Sequence, residues 1–404
     1  MPWKPLLTGD EADRAISVAR EVGDALARVD EKEVGPSLAG GAAGIGLFYA
    51  ALGQATGDEK ATETALSLLD YVAEQVGTAE QFDPTFYGSH VGAGFAYAVL
   101  EGTLIEPDDG DSDIDEMVSR LLGVSPWINY DLIHGVVGLG VYALTRLPRA
   151  QAREQVLATI ERLRETAKET PEGLSWWTDP KVVTPQRAEM YPTGYYDYCL
   201  AHGNAGVVGF LARAVTAGIE EARPMLESAT RWLVASRLPS GVFPGMAGPG
   251  EEPKGTRTAW CYGDPGVVTA LFAAGEALDD DEVRNVALDT AADCINRGPA
   301  EAGVVDAGIC HGTAGIAHIF NRLWQASGDD RFAELARYWI RYTLDNRVDI
   351  DFAGFPSMSG FDQPEGPTLK PSPGLLEGAA GVGLVLLAAA SDDEPLWDRM
   401  LLLS

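Results

Sequence analysis

Charged and apolar residues recur with a period near 3.6 in a series of segments, among them DEADRAISVAREVGDALARV, EKATETALSLLDYVAEQV, RAQAREQVLATIERLRETAK and RFAELARYWIRYTLDNR. That spacing predicts amphipathic helices with one face in water. Between them lie stretches almost free of charge for two or three turns and rich in Ala, Gly and Leu. These predict helices buried on most sides and packed closely through small residues. Runs of alternating β-branched residues bounded by hairpin turns are weak throughout, so the pattern predicts an all-α chain.

A Gly-x-x-Gly element opening an apolar run recurs seven times: GGAAGIGLFYA, GSHVGAGFAYA, HGVVGLGVYAL, HGNAGVVGFLA, YGDPGVVTALF, HGTAGIAHIF and EGAAGVGLVLL. The first glycines, Gly41, Gly88, Gly135, Gly203, Gly263, Gly312 and Gly378, are 47, 47, 68, 60, 49 and 66 residues apart. One helical hairpin per repeat with loops of varying length fits these intervals. Seven outer-inner hairpins, none able to bury its apolar face alone, predict an α/α toroid of about fourteen helices, a single domain over residues 1–404. Each Gly element would open an inner helix, gathering seven loops, free N–H groups and positive dipole ends at one mouth. The long segments 170–199, 239–258 and 349–374 precede Gly elements and are expected to overhang that mouth as loops. The closure between the first and last hairpins is expected to rest on side-chain packing alone.

Composition narrows the function. The chain of 404 residues carries 30 Lys+Arg against 60 Asp+Glu, a net charge of −30, which argues against a nucleic-acid partner. Only 7 of the cations are Lys and the acids are spread evenly, as on a surface adapted to high salt (halophilic). The start, MPWKPLLTGDEADRAI, lacks the apolar core of a signal peptide, and the longest uncharged apolar run, Gly378 to Ala390, is too short to span a bilayer. A protein without membrane insertion, working in the cytoplasm, is expected. Four cysteines in a chain of this length are no disulfide framework.

The candidate chemistry sits in the Gly loops. Cys261 precedes Tyr262 in the fifth, while Cys310 and His311 hold the same place in the sixth, 49 residues on from Cys261. Adjacent hairpins would bring them together, and two thiolates with an imidazole suit Zn²⁺ with a fourth position open. The competing reading treats both cysteines as small buried hydrophobes. A structural role is expected of His134, packing or surface roles of His90 and His318, and buried inert thiols of Cys199 and Cys294. Glu377 suits helix capping as well as catalysis.

The motifs AHGNAG, WCYGDPG, CHGTAG and LLEGAAG resemble those of the lanthionine synthetase C-like family, the cyclases of lanthipeptide biosynthesis, across essentially the whole chain. The resemblance implies a zinc enzyme with an α/α toroid fold that closes thioether rings by adding a peptide cysteine thiol to dehydroalanine or dehydrobutyrine. By motif, it implies zinc ligands Cys261, Cys310 and His311 and an acid/base histidine, His202. It also implies Tyr262 near the metal, and shorter matches imply an active-site aspartate, Asp131, and Arg257 near the metal. The implied substrate is a dehydrated precursor peptide, with dehydration left to a separate enzyme. A relative adding glutathione or another thiol to dehydroamino acids would use identical chemistry. A toroidal glycan hydrolase would instead need a carboxylate pair such as Asp131 and Glu377, and no zinc.

Overall fold

A computed structural model describes residues 2–107, 110, 112–124, 129–359 and 366–404. Its long helices are α1 (Asp10–Leu26), α2 (Ala42–Thr56), α3 (Glu59–Thr78), α4 (His90–Leu100), α5 (Asp113–Leu122), α6 (Val136–Thr145), α7 (Ala150–Thr166), α8 (Asn204–Thr216), α9 (Arg223–Ala235), α10 (Asp264–Leu278), α11 (Asp281–Asp293), α12 (Thr313–Ser327), α13 (Asp330–Asp345) and α14 (Ala379–Ala390). Odd-numbered helices are the amphipathic ones. In α1 the buried set includes Ala15, Val18, Ala19 and Val22, the 3–4 spacing of one helix face. Even-numbered helices are buried nearly all round; in α14 everything from Ala379 to Ala389 is inside.

The chain divides into two compact units. One comprises Met1–Asp83, Tyr87–Asp108 and Gly303–Trp397; the other comprises Pro84–Phe86, Asp109–Ala302 and Asp398–Ser404. The first contains α1–α4 and α12–α14. Here the N-terminal segment reaches the last inner helix through backbone as well as side chains: the Leu6 and Leu7 N–H groups both donate to Ala389 O, at 2.8 and 2.9 Å. Trp3 Nε1 donates to Ala388 O at 3.0 Å. The expectation of side-chain packing alone is therefore corrected, because the irregular entry before α1 leaves N–H groups that the carbonyls ending α14 accept.

Six of the seven inner helices have the first glycine of their element as N-cap, among them α6 with Gly135 and α14 with Gly378. The loop before each of these six folds back on the helix start, and the second glycine makes room for it. A Cβ on Gly138 would come within 2.5 Å of Leu132 O. The second element differs from the expected register: Gly88 and Gly92 are four apart, Ser89 is the N-cap, and α4 begins at His90.

The second unit contains α5–α11 and a buried polar knot. Asp115 of α5 receives Arg146 Nη2 at 2.8 Å, Tyr142 Oη at 2.6 Å and the Ser112 N–H at 2.8 Å. Burial pushes its carboxyl up, but these donors outweigh that and hold it below the usual carboxylate range.

The long segments are not plain loops. The first carries β2 of the hairpin β1 (Lys168–Thr170) and β2 (Gly173–Ser175), then β3 (Trp177–Thr178), a helix Pro185–Met190 and β4 (Tyr195–Asp197). Strand β4 pairs antiparallel with β3 and with β5 (Met246–Ala247) of the second segment. In the third, β6 (Pro356–Ser359) pairs with β7 (Thr368–Pro371), while its residues 360–365 lie outside the described residues. Pieces of two to four residues are too short to carry a readable period of two, which is why the pattern of hydrophobic positions did not announce them.

Candidate active site

The second unit assembles its polar residues around one carboxylate. Asp131, 5% exposed, follows Tyr130 in the loop before α6; the Asn129 side chain accepts its N–H at 3.1 Å. Its Oδ1 receives the His134 N–H at 2.7 Å, and its Oδ2 lies 2.7 Å from His202 Nδ1. Burial alone would raise the Asp131 carboxyl. Hydrogen bonds from His134 and His202 and the charge of His202 outweigh it and hold the group well below the carboxylate range. Burial likewise disfavours His202 as a cation, but the hydrogen bond and charge of Asp131, with the charge of Asp197, push its pKa up.

His202 has two ring neighbours. Tyr262 stacks on it at 5.9 Å and 23°, and His134 at 5.6 Å and 19°. His134, for which a structural role was expected, sets its ring against His202, with Nδ1 3.8 Å from Asp131 Oδ2 and 56% of the side chain exposed. Cys261 belongs to the same surroundings: its carbonyl accepts the Ala201 N–H at 3.5 Å and its side chain is buried. Arg257 is half-buried six residues before Gly263.

Two residues here escaped sequence reasoning. Asp197, fully buried, accepts the Cys199 N–H at 2.9 Å; burial pushes its carboxyl up to about 6 against the pull of His202. Arg187, from the Pro185–Met190 helix, carries its guanidinium 5.8 Å above the Tyr262 ring. A lone charge inside an aromatic, otherwise neutral stretch before a Gly element was the available signal for Asp197. Nothing in the sequence tied Arg187 to the site.

In the first unit Cys310 and His311 are buried at the entrance to α12. The Ile309 and Cys310 N–H groups both donate to Leu376 O, at 3.1 and 2.9 Å, which fixes this turn against the loop before α14. Glu377 follows that acceptor; the cap of α14 is Gly378, with no side-chain cap bond. His311 Nε2 lies 3.0 Å from Asp306 Oδ2, a carboxylate also not foreseen.

The remaining candidates are packed. Cys199 is fully buried and its thiol is pushed well up by burial; Cys294, just after α11, is pushed up to about 12 for the same reason. His318 stacks on Trp397 at 4.7 Å, and His90 Nδ1 accepts the Asp83 N–H at 3.1 Å. No helix among the described residues is long and apolar enough to cross a membrane.

An all-α repeat whose inner helices open on Gly loops bearing His, Cys and Asp defines a class of helical enzyme-like folds. The chain belongs to the lanthionine synthetase C-like protein family, whose description matches residues 32–402. It is 25% identical over 336 residues to glutathione S-transferase LANCL1 of Danio rerio, covering 79% of each chain. It is 24% identical over 387 residues to the nisin biosynthesis protein NisC of Lactococcus lactis subsp. lactis, covering 87% of this chain and 84% of that protein. Among solved structures, nisin cyclase is similar with a TM-score of 0.75 at 21% identity, over 96% of this chain and 98% of that one. The fold class is thus the expected all-α, α/α toroid, with small sheets added in the long segments.

Proposed function

We propose that this protein is a zinc-dependent enzyme that adds peptide cysteine thiols to dehydroalanine or dehydrobutyrine, closing (methyl)lanthionine rings in a dehydrated precursor peptide. The observation that carries the reading is His202: an imidazole whose charged form Asp131 favours, stacked on Tyr262 and next to the Cys261 loop. Such a group is suited to giving a proton to carbon beside a soft-donor site.

Cys261, Cys310 and His311 would hold the metal. All three are buried, neither sulfur is in a disulfide, and two sulfurs with one nitrogen are a zinc donor set. When bound, zinc supplies a position at which a substrate thiol loses its proton near neutral pH. The chain's own residues do the rest. As the sulfur bonds to the β-carbon, the C=C pair moves to the α-carbon and its carbonyl, and Arg257 or Arg187 offers positive charge to that oxygen. His202 delivers a proton to the α-carbon, and the proton given up by the thiol restores the balance. Asp131 orients His202 and favours its charged form. Dehydration of the peptide falls to a separate enzyme, and a reducing cytoplasm suits free thiols.

A second reading, addition of glutathione to a dehydroamino acid, is favoured by the likeness to glutathione S-transferase LANCL1. Glycan hydrolysis fits poorly, since Asp131, held ionised by two histidines, is no raised-pKa acid. Metal analysis of protein purified without chelator should find about one zinc, lost from Cys261→Ala and Cys310→Ala. The same protein, given a dehydrated peptide with internal cysteines and glutathione in competition, should form rings detectable by thiol-alkylation mass spectrometry. Adducts of glutathione alone would favour the second reading, and neither product with no zinc would overturn both.

A further inference from the structure

We infer that Asp306 is a positioning residue for His311: it holds the Nε2 side of the imidazole, so that Nδ1 is the nitrogen offered to the metal. The inference rests on the zinc reading above and deepens it.

Asp306 has two separable duties. It stands six residues before Gly312, the place Asn129 occupies before Gly135 and Asp197 before Gly203. All three use a side-chain oxygen to accept the N–H two residues on: Asn129 from Asp131 at 3.1 Å, Asp197 from Cys199 at 2.9 Å, Asp306 from Gly308 at 3.1 Å. This turn folds the loop back on the helix start. Asn129 performs it without charge, so the turn does not require a carboxylate.

The second oxygen of Asp306 does something the turn does not explain. Oδ2 lies 3.0 Å from His311 Nε2, and neither side chain is more than 5% exposed. The contact is electrostatic, the ring N–H not being aligned on the oxygen. The same Oδ2 accepts the Met358 N–H of β6 at 2.8 Å, which pins it in place. A carboxylate fixed beside Nε2 favours by its charge the tautomer with the proton on that nitrogen and the lone pair on Nδ1, the sense in which a carboxylate orients metal-binding histidines and makes them better donors. The contact also ties β6, in the long segment before α14, to the ligand's carboxylate.

Asp306→Asn tests this because Asn129 shows that the turn survives the exchange. Zinc affinity should fall by about 10- to 100-fold in competition with a chromophoric chelator. Far-UV circular dichroism of the metal-free protein should be unchanged. A spectroscopic arm does not depend on the variant: the wild-type chain has 5 histidines, so selective ¹⁵N-histidine labelling resolves them. In the zinc-loaded protein one imidazole should be coordinated through Nδ1 with Nε2–H retained, its signal absent from His311→Ala. Zinc bound as tightly by Asp306→Asn as by wild type, or coordination of His311 through Nε2, would overturn the inference. A wild-type protein that holds no zinc would instead overturn the reading on which it rests.

Discussion

Asp131 Oδ2 lies 2.7 Å from His202 Nδ1, while its Oδ1 takes the His134 N–H at the same distance. With Nδ1 committed to a carboxylate, Nε2 is the imidazole atom left to meet a substrate. The carboxylate also favours the charged ring, which is the form a proton donor needs.

His202→Asn should therefore keep its zinc, because no proposed ligand is touched, and lose turnover by about 10² to 10⁴-fold, the range for general acid/base catalysis. Metal analysis beside single-turnover rates checks this. A rate close to wild type would remove His202 from the chemistry.

The pH profile should follow the pair. The pKa of His202 is raised because Asp131 and Asp197 outweigh burial, so the protonated donor persists above the ordinary value of about 6.5. Activity should fall as pH rises through that raised value. In Asp131→Asn the main negative partner is gone, and the alkaline limb should move to lower pH as the maximum rate drops. Superimposable profiles for the two proteins would refute the pairing.

Asp115→Ala should destabilise the protein by roughly 3–5 kcal/mol, the cost of stranding a buried partner, here Arg146 at 2.8 Å and 7% exposed. The native carboxyl of Asp115 is depressed, so its stabilisation is present above the unfolded value of about 3.9 and disappears as pH falls through the native one. Urea unfolding of the two proteins should give a gap that narrows on acidification. A gap independent of pH would point to lost packing alone.

A net charge of −30 opposes compaction at low ionic strength. Raising KCl to the molar range should raise the thermal unfolding midpoint by screening carboxylate repulsion and favouring apolar burial. Ion pairs such as Arg14–Asp345 at 2.7 Å, about half exposed, would weaken with salt but contribute little. A midpoint that stays flat or falls would make the acidic surface irrelevant to where the protein works.

The helical repeat was legible because it is written in local terms. An apolar face at 3.6 spacing and glycines where a returning loop leaves no room for a Cβ are both demands on residues close in sequence. That Asp131 and His202 share a site followed from the family resemblance alone, since 71 residues separate them and spacing carries no such information; their hydrogen bond is a finding of the structure.

What the chain determined by itself was the alternation of wet and dry helices, the Gly loops and the residue types available for chemistry. The tertiary structure alone decided that Ser89 replaces a glycine as cap, that short strands order the long segments, and that His134 stacks on His202. It also brought Arg187 to Tyr262 and Asp306 to His311. The reason is physical: periodicity records what a helix face needs from its own neighbours. A hydrogen bond to a ring nitrogen, or a guanidinium over an aromatic face, depends on angles and distances that arise only when separate loops pack together.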